Sequence, residues 1–302
     1  QAINLNDRKK ELFLNGVRLT FEKPNDIYRI YDNNKFIGLG IFQSLYAIYQ
    51  AYTPITFWNR KFSGGAYMAM GLCSNPNFFG HYMTMQLSIV TIYYIKTGKI
   101  KYLLLYTLFS IALYIASSTG PILGYILAFI LMAIIFRKHY KKIAILIFMF
   151  VFTCYTADTV LKYLHIRVYN NQILDSYIIS NDIKDTVNKI ENNETNEIGN
   201  GRIELWKKSI PLMKKYWLYG SGLDTFGRVY PQNGYVYYDK AHNVYIQMGV
   251  TNGIFALTAY MLLCLIVFLK GFKLEKTYSV AIFMAFVSYC IAAFANISVT
   301  DV

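Results

Sequence analysis

The amino-acid sequence predicts an all-α fold, a polytopic bundle of transmembrane helices, from three observations. Hydrophobic residues make up 55% of the 302 positions and charged residues only 16%, against about 25% charged residues in an ordinary soluble domain. Seven apolar runs recur along the chain, most of them at lengths typical of membrane-crossing helices. Short clusters of Lys and Arg lie between these runs, which is the pattern that orients helices in a membrane.

The seven predicted spans end at basic clusters or at turn-forming residues. The third and fourth would measure about 52 Å as one continuous helix, well beyond a hydrocarbon core of about 30 Å. The break Ser117–Pro121 between them is therefore expected to be the tip of a hairpin. Within the sixth run, Asn252-Gly253 predicts a kink or a helix break. The predicted spans cover residues 36–57, 76–95, 102–117, 121–136, 143–160, 244–269 and 277–296.

Positive charge at the helix ends determines the predicted orientation. Most of the net charge of +13 lies in three short turns, which are therefore expected in the cytoplasm. This distribution favours membrane orientation over a nucleic-acid partner, which would need a basic patch. Because each span crosses the membrane once, successive loops alternate between its two sides, so residues 161–242 are expected to form a large extracytoplasmic loop. The whole chain, residues 1–302, is expected to be a single integral membrane domain. The basic turns are residues 96–101, 137–142 and 270–276.

The 161–242 loop divides into two halves of different composition. Its first half is polar and poor in signals of regular structure, which is typical of a mobile excursion. In the second half, apolar residues recur every three or four positions with lysines on other faces, which predicts an amphipathic helix. Such a helix suits the outer membrane interface and equally suits packing on the membrane domain. Its apolar stripe consists of Ile203, Trp206, Ile210, Met213 and Trp217.

Residues 201–253 hold the strongest candidates for chemistry. His242 lies at the expected extracytoplasmic start of a helix, with Asn243 beside it, and an imidazole accepts a proton from a hydroxyl near neutral pH. Arg202 heads the amphipathic helix, and Arg60 lies in the outer loop after the first span. Guanidinium groups bind phosphate oxygens bidentately and stay charged. This combination favours a site for an anionic substrate with a general base beside it.

Further polar residues are predicted at the same outer mouth of the bundle. Asn75-Pro76-Asn77 opens the second span, and two asparagines exceed what a helix cap needs. Ser118 lies in the outer hairpin tip, and Gly220 and Gly222 flank a serine as turn positions. Helix starts that face outward present free backbone donors, so several of them can converge on one anionic group. The starts are expected near residues 76, 121 and 243.

The sequence predicts a site without a metal or another cofactor. The four cysteines are scattered without metal-ligand or disulfide spacing. Glu204, Asp224 and Asp239 are the acids nearest to the predicted site, and they do not form an obvious glycosidase-like carboxylate pair. Asp239 precedes His242 by three positions, so it can orient the imidazole or equally pair with Lys240.

These motifs resemble the O-antigen ligase and polymerase superfamily of bacterial polysaccharide assembly. The resemblance covers roughly residues 55–300, and Gly201-Arg202 with His242-Asn243 around the outer loop is its most specific part. Members often carry Ser-Arg-Gly at the outer hairpin, whereas this chain has Ser118-Thr119-Gly120, which puts more weight on Arg60 and Arg202. The other matching residues are Gly71, Asn75-Pro76-Asn77, Trp206, Gly220-Ser221-Gly222, Ala241, Gln247 and Gly253.

The resemblance implies a metal-independent glycosyltransferase of the bacterial cytoplasmic membrane, with a polyprenyl-diphosphate-linked oligosaccharide as donor. His242 would take the acceptor's hydroxyl proton, while Arg202 and helix N-termini would stabilise the departing diphosphate. A single displacement inverts the anomeric centre and needs no carboxylate nucleophile. Membrane lipid, a flippase and a chain-length regulator are the further partners that the resemblance implies.

Several functions stay open on the sequence alone. A polymerase extends another lipid-linked unit, whereas an O-antigen ligase joins the glycan to a lipid or wall acceptor. A composition rich in Lys, Asn, Ile and Tyr favours the first of these, a capsule or exopolysaccharide polymerase. A rod-shape-family glycan polymerase would instead carry a key acid in the outer loop. A non-catalytic flippase predicts internal repeats and mid-span charges. Because the chain begins with Gln1 and stops just after an apolar run, we also expect it to be part of a longer protein.

Overall fold

A computed structural model describes residues 10–14, 17–21, 33–52, 69–73, 75–165, 187–188, 190–192 and 201–294. Its main helices are α1 (Asn33–Tyr52), α2 (Pro76–Thr97), α3 (Ile100–Ile115), α4 (Thr119–Ile135), α5 (Tyr140–His165), α6 (Arg202–Lys215), α7 (Phe226–Gln232), α8 (Val244–Thr251), α9 (Gly253–Gly271) and α10 (Thr277–Ala293). The predicted helical fold class is confirmed.

The all-α prediction omitted a short antiparallel hairpin near the N-terminus. Strands β1 (Lys10–Leu14) and β2 (Val17–Phe21) pair so that Lys10 lies opposite Phe21 and Leu14 opposite Val17. Strands of five residues carry too short an alternating pattern to be recognised beside long apolar runs. The chain divides into two compact units, Gln1–Gly40 and Ile41–Val302, and the candidate site lies in the second.

Helices occupy all seven predicted apolar runs, with boundaries that differ by a few residues. The sixth run is divided into α8 and α9, which meet at Asn252. Gly253 follows with a left-handed backbone, φ +76°, which confirms the predicted helix break. A side chain there would collide with the backbone of Leu218, since a Cβ would lie 2.5 Å from the Leu218 carbonyl oxygen.

Helix α2 lies in the centre of the bundle, packed against α3, α4 and α10, and is buried on most of its surface. This position allows it to carry polar side chains, provided that they find partners inside the protein. Ser88 shares a hydrogen bond of 2.5 Å with Ser288 of α10, and Thr91 shares one of 3.0 Å with the hydroxyl of Tyr125 on α4. Hydrogen bonds therefore join the central helix to its neighbours.

The outer faces of other helices carry large apolar side chains that are well exposed. Phe148 on α5 is 66% exposed and Leu263 on α9 is 59% exposed. Extended apolar surfaces of this kind are rare on soluble monomers and are expected where lipid surrounds a protein. By length and composition, the described stretches Arg137–Val160 and Gly253–Gly271 can each cross a membrane, whereas α3, α4 and α10 are apolar but have only 16 or 17 residues.

Two of the basic turns meet at one end of the bundle. The Lys142 ammonium donates to the Ile95 carbonyl at 2.6 Å, and the Lys96 ammonium lies 5.3 Å from the ring centroid of Phe136. Both contacts join the α2–α3 turn to the α4–α5 turn, which agrees with the prediction that these two basic turns lie on the same side of the membrane. The start of α2 and the α3–α4 turn lie at the opposite end, which we call the site end. The assignment of this end to the outside stays a prediction.

The second half of the outer loop and the helix that follows it form a small core of their own, in which α6 packs against α7 and α8. Helix α6 forms where a helix was predicted, but the predicted stripe was partly wrong. Leu205 and Leu212 are buried, whereas Ile210 and Trp217 are 49% and 59% exposed. Packing on α7 and α8 determines the buried face, which supports packing within the protein, and contact of α6 with the membrane interface stays a prediction.

The topology predicts opposite labelling of two exposed positions, Tyr140 and Ile190. In a variant whose four native cysteines are replaced by serine, Ile190→Cys should react with a membrane-impermeant maleimide in intact cells. Tyr140→Cys should react only after the membrane is permeabilised, because it lies at the basic end. Labelling of both positions in intact cells would contradict the orientation.

Candidate active site

The candidate site is assembled on the C-terminal end of α10 and the residue that caps it, Tyr289–Phe294. On one side this end packs against α2, where the rings of Tyr289 and His81 meet edge to face with centroids 5.9 Å apart. On another side it packs against α4 so closely that a Cβ on Gly124 would lie 2.7 Å from the Ala292 Cα. Glycine is required there, because carbon atoms normally stay about 3.5 Å apart or more.

The same end of α10 also contacts α6, in the second half of the outer loop, and α8, which follows the loop. The hydroxyl of Tyr245, in the first turn of α8, donates to the Cys290 carbonyl at 3.0 Å. The Trp206 ring of α6 packs edge to face on Phe294 with centroids 5.8 Å apart. Helices that are far apart in sequence, α2, α4, α6 and α8, therefore meet at one helix end.

Side chains hold the residue before His242 from both directions. The Ala241 N–H donates to Gln247 Oε1 at 2.8 Å, and the Ala241 carbonyl accepts from Trp206 Nε1 at 2.9 Å. Ala241 is fully buried, so water cannot replace either partner, and an unsatisfied buried group costs about 1–3 kcal/mol. We call these two hydrogen bonds the Ala241 clamp. Sequence reasoning noted Trp206 and Gln247 but did not assign them this positioning role.

His242 has a left-handed backbone, with φ +50°. This conformation costs about 1–2 kcal/mol for a residue with a side chain, although histidine adopts it more often than most. The next residue, Asn243, is buried and caps α8, since its Oδ1 accepts the N–H groups of Tyr245 and Ile246 at 3.0 Å each. Backbone strain held in place by surrounding bonds is concentrated at functional sites. The backbone of His242 is thus fixed between the Ala241 clamp and a helix cap.

Arg202 is the first residue of α6 and follows Gly201, which has a left-handed backbone with φ +76°. Arg202 lies one helical turn before Trp206 and therefore on the same face of α6. Its guanidinium interacts electrostatically with His81 of α2. Because Trp206 is bonded to the residue beside His242, the clamp brings the two strongest sequence candidates, Arg202 and His242, to the same side of α6.

Asn75, Asn77 and Ser118 form a hydrogen-bonded chain at the start of α2. The Asn75 Oδ1 caps the helix by accepting the Asn77 N–H at 2.8 Å, and the Asn77 Oδ1 accepts the Ser118 hydroxyl at 2.5 Å. Ser118 directly precedes α4. The second asparagine therefore joins the starts of α2 and α4, and two of the three predicted helix starts lie side by side.

Two glutamines of α1 hold the segment that leads into α2, and sequence reasoning missed both. Gln50 Oε1 accepts the N–H groups of Met70 and Gly71 at 3.1 and 2.9 Å, and its amide donates to the Gly71 carbonyl at 3.0 Å. Gln43 Oε1 accepts the Leu72 N–H at 2.8 Å. The sequence did contain a signal for this role, because Gln43 and Gln50 are two amides seven positions apart in an apolar run and therefore lie on one helix face.

Gly220 and Gly222 lie at the break between α8 and α9, one length of α8 or about 12 Å from its start at Val244. The N–H groups of Ser221 and Gly222 donate to the carbonyls of Val250 and Thr251 at 2.9 and 3.0 Å. A Cβ on Gly220 would lie 2.2 Å from the Thr251 oxygen. These glycines allow two backbones to approach, and their role in substrate binding stays a prediction.

Each of the three acids near the site contacts a cation or a hydroxyl. Among the residues that the structure describes, no group of three His, Cys, Asp or Glu side chains is placed to hold a metal ion. The prediction that no metal is needed is left to experiment. The acid contacts are Glu204 with Lys208, Asp224 with Lys240 at 3.7 Å, and Asp239 with the Tyr237 hydroxyl at 3.5 Å.

The predicted phosphate contact Arg60 lies outside the described residues, as do residues 166–186, 189 and 193–200 of the outer loop. What the described residues define is a helical protein with lipid-type outer faces and with a strained histidine, an arginine and capped helix starts gathered at one end. This is the class of an integral membrane protein with a polar site at one surface.

Comparison with known families identifies the class more closely. The sequence model of the O-antigen ligase family matches residues 104–261, slightly more than half of the chain. The chain therefore belongs to the O-antigen ligase family, whose members are membrane enzymes of the ligase or polymerase type that act on lipid-linked oligosaccharide. A search of curated proteins finds no significant match. The matched region includes Ser118, Arg202, Gly220, Gly222, His242 and Asn243.

Two glycines with similar backbones provide a matched test of the packing at the α8–α9 break. Gly220 and Gly234 have φ values of +76° and +83°, but space around a Cβ is open only at Gly234. Replacement by alanine should cost about 1–2 kcal/mol at either position through backbone strain. Gly220→Ala should cost about 1–3 kcal/mol more through the collision with Thr251. Equal melting temperatures of the two purified variants would contradict this packing.

Proposed function

We propose that the protein is a multi-pass glycosyltransferase of the bacterial cytoplasmic membrane. On the outer face it polymerises oligosaccharide units carried on polyprenyl diphosphate, for capsule, exopolysaccharide or O-antigen. The observation that carries the proposal is the Ala241 clamp, which fixes the His242 backbone beside the helix that Arg202 begins. A base and a phosphate-binding cation in one place are what this transfer requires.

In the proposed reaction, the oxygen of an acceptor hydroxyl forms a bond to the anomeric carbon of the donor. The bond between that carbon and the diphosphate oxygen breaks, and the diphosphate leaves with one additional negative charge. The hydroxyl proton moves to the imidazole of His242. One displacement inverts the anomeric centre, so no carboxylate nucleophile takes part. The contacts of Glu204, Asp224 and Asp239 with other side chains are consistent with this assignment.

The diphosphate is bound at the same end, by Arg202 and by the starts of helices. A guanidinium offers two parallel donors to phosphate oxygens, and a helix N-terminus offers backbone donors and a partial positive charge. The chain of Asn75, Asn77 and Ser118 places the starts of α2 and α4 together. We assign Arg60, Asn243, Gly220 and Gly222 to the same substrate-binding region from their sequence positions.

The composition rich in Lys, Asn, Ile and Tyr favours a polymerase over a ligase, and the fixed His242 favours an enzyme over a flippase. An O-antigen ligase would use the same donor chemistry with a finished lipid or wall acceptor, so the acceptor alone distinguishes the two enzymes. A flippase would need neither a proton acceptor nor a strained histidine. A flippase and a chain-length regulator are instead the proposed protein partners, because the donor must reach the outer face and the polymer length must be limited.

Replacement of His242 is the first test. His242→Ala should lower turnover about 10²–10⁴-fold, the usual loss for a general base. His242→Asn should fail equally, although asparagine tolerates the left-handed backbone. Turnover is measured as polymer formed from purified lipid-linked donor, with His139→Ala at the basic end as control. A His242→Ala protein of normal abundance that still makes full-length polymer would contradict the proposal.

The second test concerns the shape of the cation at position 202. Arg202→Lys keeps the charge but loses the two parallel donors, so turnover should fall about 10²–10³-fold. Arg228→Lys, at an exposed position on α7, should leave turnover unchanged. If Arg202→Lys were as active as the control, charge alone would be sufficient at this position and the bidentate role would be wrong.

Metal independence is tested by chelation. Polymer formation by the purified protein should be unchanged after treatment with excess EDTA, because Arg202 and helix N-termini are proposed to neutralise the diphosphate. Loss of activity that magnesium or manganese restores would point to a metal-assisted reaction instead.

A further inference from the structure

An apolar groove lies far from the candidate active site, toward the basic end of the bundle. It encloses about 750 Å³ between α3, α4 and α5. Its wall consists mainly of α4 side chains, with Tyr106 and Tyr125 at its base and Ile147 and Val151 of α5 opposite. Ile147 and Val151 are at least half exposed, so the groove is open along the lipid-facing side of the bundle.

The depth of the groove matches one leaflet of a membrane. It extends from Ile126 on α4 to Arg137, two residues past the end of that helix, which at 1.5 Å per residue is about 16 Å. Half of a hydrocarbon core of about 30 Å is about 15 Å. A groove of this depth accommodates an acyl chain of a single leaflet and ends where the head group of that lipid would lie.

The end of the groove is strongly basic. Of the described residues that line it, Arg137 alone is charged, and Lys138 and Lys141 follow on the same turn. The contacts of Lys96 and Lys142 bring the α2–α3 turn to the same place. The sequence has no Asp or Glu between Asp32 and Asp158, so these elements supply no acid to neutralise the cluster.

We propose that this groove binds an anionic phospholipid of the cytoplasmic leaflet, with one acyl chain along α4 and the phosphate at Arg137. Basic pockets between helices on the cytoplasmic side are suited to anionic head groups. The positive charge at the end of the groove favours an anionic lipid over a zwitterionic one. Because the groove is only about one leaflet deep, it does not reach the site end, where the lipid-linked oligosaccharide donor is proposed to bind. The proposal depends on the orientation of the basic end and not on glycosyl transfer.

Such a lipid would stabilise the packing of α3, α4 and α5, because a ligand that binds only the folded state raises its stability. The test uses the full chain in detergent, titrated with phosphatidylglycerol or with phosphatidylcholine of the same acyl chains. Native mass spectrometry counts bound lipid, and thermal unfolding reports stabilisation. Phosphatidylglycerol should bind in a 1:1 complex and raise the melting temperature, with at least about tenfold weaker binding of phosphatidylcholine, as loss of a charge-assisted contact implies.

Matched variants separate a defined site from general attraction to charge. Arg137→Gln should weaken phosphatidylglycerol binding about tenfold. Lys101→Gln should not, because Lys101 lies at the basic end over the Tyr102 ring, outside the groove. Ile130→Trp should block the groove, whereas Leu263→Trp, at a similarly exposed position on α9, should have no effect.

Three outcomes would overturn the proposal. One is equal binding of the two lipids to the unmodified protein. Another is an equal loss in the Arg137 and Lys101 variants, which would mean diffuse attraction to the basic end. The third is unchanged binding in Ile130→Trp, which would place the lipid elsewhere.

Discussion

The close packing of the end of α10 against α2 and α4 is the contact on which the rest of the site depends. Gly124 lets α4 approach Ala292, and the same short segment of α10 accepts a hydrogen bond from Tyr245 and supports the Trp206 ring. Trp206 in turn holds the carbonyl of Ala241. A shift of this helix end would therefore move the residue before His242, although no part of α10 is proposed to touch the substrate.

The two ends of the bundle differ in how they present positive charge. At the basic end, lysines and Arg137 form a largely exposed cluster suited to lipid head groups. At the site end, positive potential comes from Arg202 and from helix starts, of which those of α2 and α8 are held by asparagine caps. Fixed donors cost little reorganisation when charge develops during a reaction. The proposed chemistry therefore belongs at the site end, while the basic end orients the protein.

The sequence was sufficient to predict the features that depend on local patterns. Long apolar runs predicted the helices, and Asn252-Gly253 predicted the break before α9. For Asn77 and Ser118 the sequence predicted a location at the same mouth of the bundle, but not the hydrogen bond between them. By contrast, the buried face of α6, the Ala241 clamp and the glutamines of α1 depend on which helices become neighbours. On the sequence alone Gly220 resembled part of a ligand-binding turn, because its tight contact with Thr251 exists only in the folded chain.

The central claim is that the Ala241 clamp acts through His242, and a double-mutant cycle tests it most directly. Gln247→Leu removes one of the two clamp bonds and should lower turnover about 10–100-fold in the unmodified protein, as expected for a misplaced catalytic group. In the His242→Ala background, the same change should leave the residual turnover unchanged, because no base remains to be positioned. An equal loss in both backgrounds would contradict the account.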